Sequence, residues 1–174
     1  MRRKNQKKIN FVGGQCFSPG FSLLGILVSC FVVSLSLIGI LGLIASSLRA
    51  AEISKDRLVA AGLAQEGIEI VRNIRETNVS WANWYGNFNL NTVYNYRVQY
   101  NSSNFLPYSD TPLKINNGLF SYDSGVDSYF YRKVTLRKLS ADEIKVLVEV
   151  KWRQPNDANW HSLLVEDGLW RWRD

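Results

Sequence analysis

From Phe21 to Leu48 the chain carries 28 consecutive residues drawn mainly from Leu, Ile, Val, Phe, Gly and Ser, and no charged residue occurs between Lys8 and Arg49. As an α-helix this run extends about 42 Å, more than the ~30 Å hydrocarbon core of a bilayer, and predicts one membrane-spanning segment. The helical period continues beyond Leu48. In residues 49–76, Ile53, Ala60, Ala64, Gly67, Val71 and Ile74 fall on or near one face, with most charges elsewhere. Gly62 and Gly67 each weaken a helix by up to ~1 kcal/mol relative to Ala, but no proline interrupts the segment. The pattern therefore predicts one helix from Phe21 to about Glu76, roughly 84 Å long.

Past Asn78 the period changes. Residues 79–128 are rich in Asn, Tyr, Ser and Gly, and predict irregular chain with short strands near Tyr94–Tyr100 and Gly118–Tyr122. From Tyr129 a two-residue alternation begins: Phe130, Arg132, Val134 and Leu136 are in phase, opposite Tyr131, Lys133, Thr135 and Arg137. Residues 140–143 read as a turn. Ile144, Val146, Val148, Val150 and Trp152 then form the apolar face of a second strand. A reversal at 154–159 leads to a short strand from Trp160 to Val165. Residues 168–174 read as a separate final edge strand, with Trp170 and Trp172 on one face and Arg171 and Arg173 on the other. The expected fold class is α+β, a long N-terminal helix packed on a C-terminal antiparallel sheet. Its parts are a basic leader (1–20), a transmembrane half-helix (21–48), an amphipathic half-helix (49–77) and an extracytoplasmic domain (78–174).

Charge sharpens this division. The chain has 21 Lys and Arg against 15 Asp and Glu, but Arg2, Arg3, Lys4, Lys7 and Lys8 lie in the first eight positions. Without the leader the balance is 16 against 15, a net of +1, which gives no general electrostatic basis for nucleic-acid binding. The basic cluster instead suits a positive-inside signal that keeps the N-terminus cytoplasmic. The two cysteines, Cys16 and Cys30, both precede the polar domain, so that domain must be held by packing and hydrogen bonds.

Candidate chemistry is sparse. His161 is the single histidine, with no cysteine or second histidine to complete a metal site, and reads as a partly exposed strand residue. Glu66 and Glu69 lie three apart on the helix and read as solvated or intersubunit ion-pairing groups. Gly13-Gly14, Gly118 and Gly125 lack a phosphate-loop context. No cofactor and no catalytic residue is expected. Trp81, Trp84, Tyr85, Phe88, Tyr94, Tyr96 and Tyr100 suit a stacking surface for a carbohydrate or a nucleic acid, and better suit the core of a domain without disulfides. Ser22, Gly25, Ser29, Val32, Ser36 and Gly39 recur at spacings of three and four, a face of small residues that lets membrane helices pack closely.

Two segments carry a resemblance. Leu27-Val28-Ser29-Cys30 resembles a lipobox, but 18 apolar or small residues follow Cys30 where a lipoprotein enters a polar linker. Ser18-Pro19-Gly20-Phe21-Ser22-Leu23-Leu24, between the basic leader and the apolar run, resembles the processing site of type IV pilins and type II secretion pseudopilins. Residues 61–75 resemble the amphipathic half of the N-terminal helix in pilin-like proteins. Together they cover about the first 78 residues. The resemblance implies cleavage by a prepilin peptidase between Gly20 and Phe21, methylation of Phe21, and assembly with other pilin or pseudopilin subunits out of the lipid bilayer. The family commonly has Glu at the fifth mature position, where this chain has Gly25; members that cap a filament tip lack it. The implied function is a noncatalytic minor pilin. The alternatives are a tip or initiating component of a type II secretion pseudopilus, and a single-pass surface-binding protein that does not polymerise.

Overall fold

The computed structural model describes residues 23–171 except 79, 86, 87 and 156. The leader, Gly20, Phe21, Ser22, Cys16 and Trp172 lie outside the described residues. The chain divides after Leu48 into two units. One helix, α1 (Leu23–Thr77), runs through the division without a break. Its end is capped by the residue that follows: the Asn78 side-chain amide donates to the Ile74 carbonyl at 2.5 Å, occupying an acceptor that the last turn leaves free.

In the second unit, α1 lies against a five-stranded antiparallel sheet of order β2-β1-β6-β7-β8. The strands are β1 (Val93–Arg97), β2 (Leu106–Pro107), β6 (Phe130–Lys138), β7 (Glu143–Trp152) and β8 (His161–Trp170). A smaller sheet joins β3 (Lys114–Asn116), β4 (Leu119–Ser121) and β5 (Val126–Asp127) in the order β4-β3-β5. The β3–β4 hairpin turns on Asn117-Gly118, both at positive φ (49° and 82°), the backbone that two-residue hairpins require.

The alternation of β6 and β7 governs the core. Val134, Leu136, Ile144, Val146, Val148 and Val150 are wholly buried, and Val134 faces Val148 across the ladder. Each such side chain contributes about 1.5–3 kcal/mol by leaving water. From α1 the core receives Ala60, Leu63, Ala64, Gly67, Ile68, Ile70, Val71 and Ile74. Ile53, expected on this face, remains 38% exposed.

Two further expectations change. Residues 161–170 form one strand rather than two short ones, because β7 pairs without interruption from Glu143 opposite Trp170 to Trp152 opposite His161. Gly168 permits this: the Trp170 indole lies over it, so close that a Cβ there would come within 2.6 Å of Trp170 Cη2. The aromatic-rich segment also contains a short helix, α2 (Trp81–Tyr85), which buries Trp84 and Tyr85 and is tied to the β6–β7 turn by Trp81 Nε1 donating to the Ala141 carbonyl at 2.9 Å. Trp81, Phe88 and Tyr96 pack against the core, as expected of a domain without disulfides; Tyr100, 54% exposed, does not belong to it.

The glycines of α1 give a test of this packing. A Cβ on Gly67 would lie 3.0 Å from Val148 Cγ1, whereas one on Gly62 meets nothing within 4 Å. Gly67→Leu should therefore destabilise the protein by about 1–3 kcal/mol through overpacking. Gly62→Ala should stabilise it by up to ~1 kcal/mol through helix propensity. Urea unfolding followed by tryptophan fluorescence should separate the two in opposite directions.

Candidate functional site

The first unit presents a surface that suits a non-aqueous solvent. Every described residue from 23 to 48 is exposed, and an 18-residue window of α1 has a mean hydropathy of 2.6 with none of it buried. Among the described residues this is the one helix long and apolar enough to cross a membrane, and its exposure separates it from the core helix of a soluble domain. Four of the five serines between 23 and 48 bond back to the helix backbone. Ser29 Oγ donates to the Ile26 carbonyl at 2.9 Å and Ser36 Oγ to the Val32 carbonyl at 2.8 Å; Ser34 and Ser46 bond back to Cys30 and Leu43 in the same manner. A hydroxyl that bonds its own helix needs no water, which is the condition for placing it in lipid. Of the expected packing face, Gly25, Ser29, Ser36 and Gly39 lie on this helix, and a Cβ on either glycine would meet nothing within 4 Å.

In the second unit the helix is pinned by a charge in the core. Arg132 lies in phase with Phe130 and Val134, so β6 directs it inward, and it is 1% exposed. Its Nη1 donates to the Leu63 carbonyl at 3.1 Å and pairs with Glu66 Oε2 at 3.2 Å, while Nη2 donates to the Val98 carbonyl at 2.6 Å. One guanidinium thus joins α1, β6 and the chain just after β1. Tyr122 donates its hydroxyl to the Arg132 carbonyl at 3.0 Å, and burial pushes that phenol's pKa up despite the nearby cation. Glu66 is therefore an internal counter-ion, one-third exposed, rather than the solvated or intersubunit group expected; Glu69 pairs with Arg72 at 2.6 Å.

A second polar contact closes the sheet end near the start of this unit. Asp56, 2% exposed, accepts from the Tyr129 hydroxyl at 2.9 Å and from Gln154 Nε2 at 2.5 Å. Desolvation, followed by the bond to Asp56, raises the Tyr129 pKa. His161, the first residue of β8, is part-buried as expected, pairs with Asp157 at 2.7 Å and stacks on Trp152. The Asn159 amide, then His161, hold the Asp157 carboxyl below its ordinary range. On the outer sheet face Lys151 pairs with Asp110 at 2.9 Å and, with the Tyr108 hydroxyl, depresses the Asp110 pKa. Among the described residues no group of three or more His, Cys, Asp or Glu is placed to hold a metal ion.

The periodicity already put Arg132 on the core face, but its partners come from residues 34 and 69 positions away, and no local signal identifies them. Asp56 is similar: it interrupts the apolar stripe of α1, which was the one available hint of a buried carboxylate. Protein-family models, curated proteins and solved structures show no match to this chain.

Arg132→Ala should destabilise the protein by about 2–5 kcal/mol, combining a core cavity with the loss of three acceptors' donor. Glu66→Ala should also destabilise, and a double-mutant cycle in urea should show coupling between them, because each removal strands the other group. The pH response has a fixed sign. Asp110 and Asp157 have folded values below the ordinary 3.8, so their contribution is complete above 3.8 and is lost as pH falls through the depressed values. The double substitution Asp110→Asn/Asp157→Asn should lower the urea midpoint at about pH 6 and reduce its further decline toward about pH 3.

Proposed function

We propose that this chain is a noncatalytic structural subunit of a type IV pilus or pseudopilus, a minor pilin that assembles through α1. The observation that carries the reading is the division of burial along one unbroken helix: residues 23–48 are apolar and exposed, while positions from Asp56 to Ile74 form one wall of the globular core. A lone anchor has no need for continuity between the two. A subunit that packs by one half of a helix and displays a domain on the other half does, because both halves then belong to one backbone element.

In this reading the basic leader holds the N-terminus in the cytoplasm and the domain lies outside the membrane. A prepilin peptidase cleaves between Gly20 and Phe21 and the new N-terminus is methylated. The small face at Ser22, Gly25, Ser29, Ser36 and Gly39 then admits helices of other pilin or pseudopilin subunits, first in the bilayer and afterwards in an extracellular filament. Small residues matter in lipid because helix association there rests on close van der Waals approach rather than on expulsion of water. Gly25 favours a second placement within the same fold, as a tip or initiating component of a type II secretion pseudopilus. A carboxylate within the bilayer costs about 2.5–3.5 kcal/mol on insertion scales, and a subunit with none ahead of it has no partner to offset that.

Intact-mass measurement of membrane material should give a chain beginning at Phe21 with one added methyl group; a chain still beginning at Met1 rejects the processing step. With Cys30→Ser in the background, Ser29→Cys and Ser36→Cys should cross-link to pilin-like chains. Only monomers in that experiment would favour the non-polymerising surface protein. Gly25→Glu should change copy number or placement in isolated filaments if Gly25 marks a tip position.

A further inference from the structure

The globular unit has a defined end at which α1 enters it. Arg72 meets Asp167, paired across the ladder with Val146; Gly67 meets Val148; and Asp56 meets Gln154, just beyond the end of β7. The strand β7 therefore runs toward residue 49, and Gln154 and Asp157, in the loop 153–160 past its end, lie beside the first turns of α1 that belong to this unit. That loop and the helix share a cavity lined by Arg49, Glu52, Ile53, Gln154 and Asp157. Arg49 directly follows Leu48, the last residue of the apolar run.

Trp160 closes this loop and is 49% exposed, whereas Trp84 and Trp152 are buried. Its indole stands edge-on to Tyr131 at 5.5 Å, with the Arg153 guanidinium 5.0 Å and Lys151 Nζ 5.4 Å from the ring centre. Arg49 and Arg153 are exposed and, among the described residues, carry no ion pair. The Asp157 carboxylate is turned onto the Asn159 amide and His161, which leaves Glu52 as the opposing charge in the cavity wall. Ile53, in the same cavity wall as Glu52, is 38% exposed. A half-exposed indole beside an unpaired arginine, with a second unpaired arginine on the neighbouring helix turn, has the composition of a membrane–water boundary, where an amphipathic ring sits among headgroups and cations meet phosphate.

We propose that this end of the domain, with Trp160 as the inserted ring and Arg49 and Arg153 as headgroup cations, rests on the anionic phospholipid surface that α1 enters. The inference depends on the membrane reading of residues 23–48, and the test separates the two. The full chain is placed in nanodiscs of phosphatidylcholine with or without phosphatidylglycerol, with lipids brominated near the headgroup. Fluorescence of wild type minus Trp160→Phe isolates Trp160, and wild type minus Trp170→Phe isolates Trp170, which is 58% exposed at the other end of the sheet. Trp160 should be blue-shifted and quenched and Trp170 should not. Arg49→Gln/Arg153→Gln should reduce the quenching by roughly twofold in phosphatidylglycerol discs and much less without that lipid. Slow amide exchange across residues 23–48 with an unquenched Trp160 overturns the surface contact alone. Rapid exchange across 23–48 overturns the membrane reading and this inference with it.

Discussion

The approach of α1 to β7 at Gly67 is the contact on which the globular unit depends. Helix backbone and sheet can come this close only because residue 67 has no side chain: the space its Cβ would take is bounded by Val148 at 3.0 Å and Arg132 at 3.4 Å. That proximity brings the Leu63 carbonyl and Glu66 within reach of the Arg132 guanidinium. Charge and close packing are coupled here. A larger residue at 67 moves the helix away and leaves a buried cation with fewer acceptors, which the low-dielectric core penalises more heavily than the loss of contact alone.

Along α1 the same secondary structure meets two different requirements. Between 23 and 48 the backbone beyond the first turn is satisfied within the helix and four of the five serines bond back to it, so the segment offers a largely apolar surface with little polar demand. From Asp56 onward the helix takes polar partners from other elements: Tyr129, Gln154, Arg132 and Asp167. The boundary at Leu48 and Arg49 is thus a change in what the helix surface needs, with no change in the backbone. This change, together with the processing-site resemblance, underlies the pilin-like assignment proposed for the chain.

The sheet itself was largely legible in the residues. From Ile144 to Trp152 every second residue is apolar, with Leu147 the one apolar residue on the opposite phase, and a strand with one buried face has a period of two that no helix can reproduce. The β8 boundary was less legible because Gly168 is an ordinary strand breaker in isolation; its suitability depends on the Trp170 ring lying over it. The short α2 and the aromatic packing around Trp84 were also obscure, since five residues are too few to show a helical period. The processing positions Gly20 and Phe21 were read from a local pattern, and their role depends on chemistry outside the fold.

What the sequence by itself determined is the order and type of the large elements: a continuous apolar-then-amphipathic helix followed by an antiparallel meander. Those follow from periodicity, a property of neighbours along the chain. Only the tertiary structure decided which polar residues are buried and with whom. Asp56 finds its partners 73 and 98 positions away, and Arg132 finds one of its acceptors 69 positions away. Such pairings satisfy a desolvation cost that exists only once the chain has closed on itself, so no local pattern encodes them. Ile53 makes the same point in reverse: it has the spacing of a core residue, but it lies beyond the wall of the core and stays exposed beside the Trp160 loop.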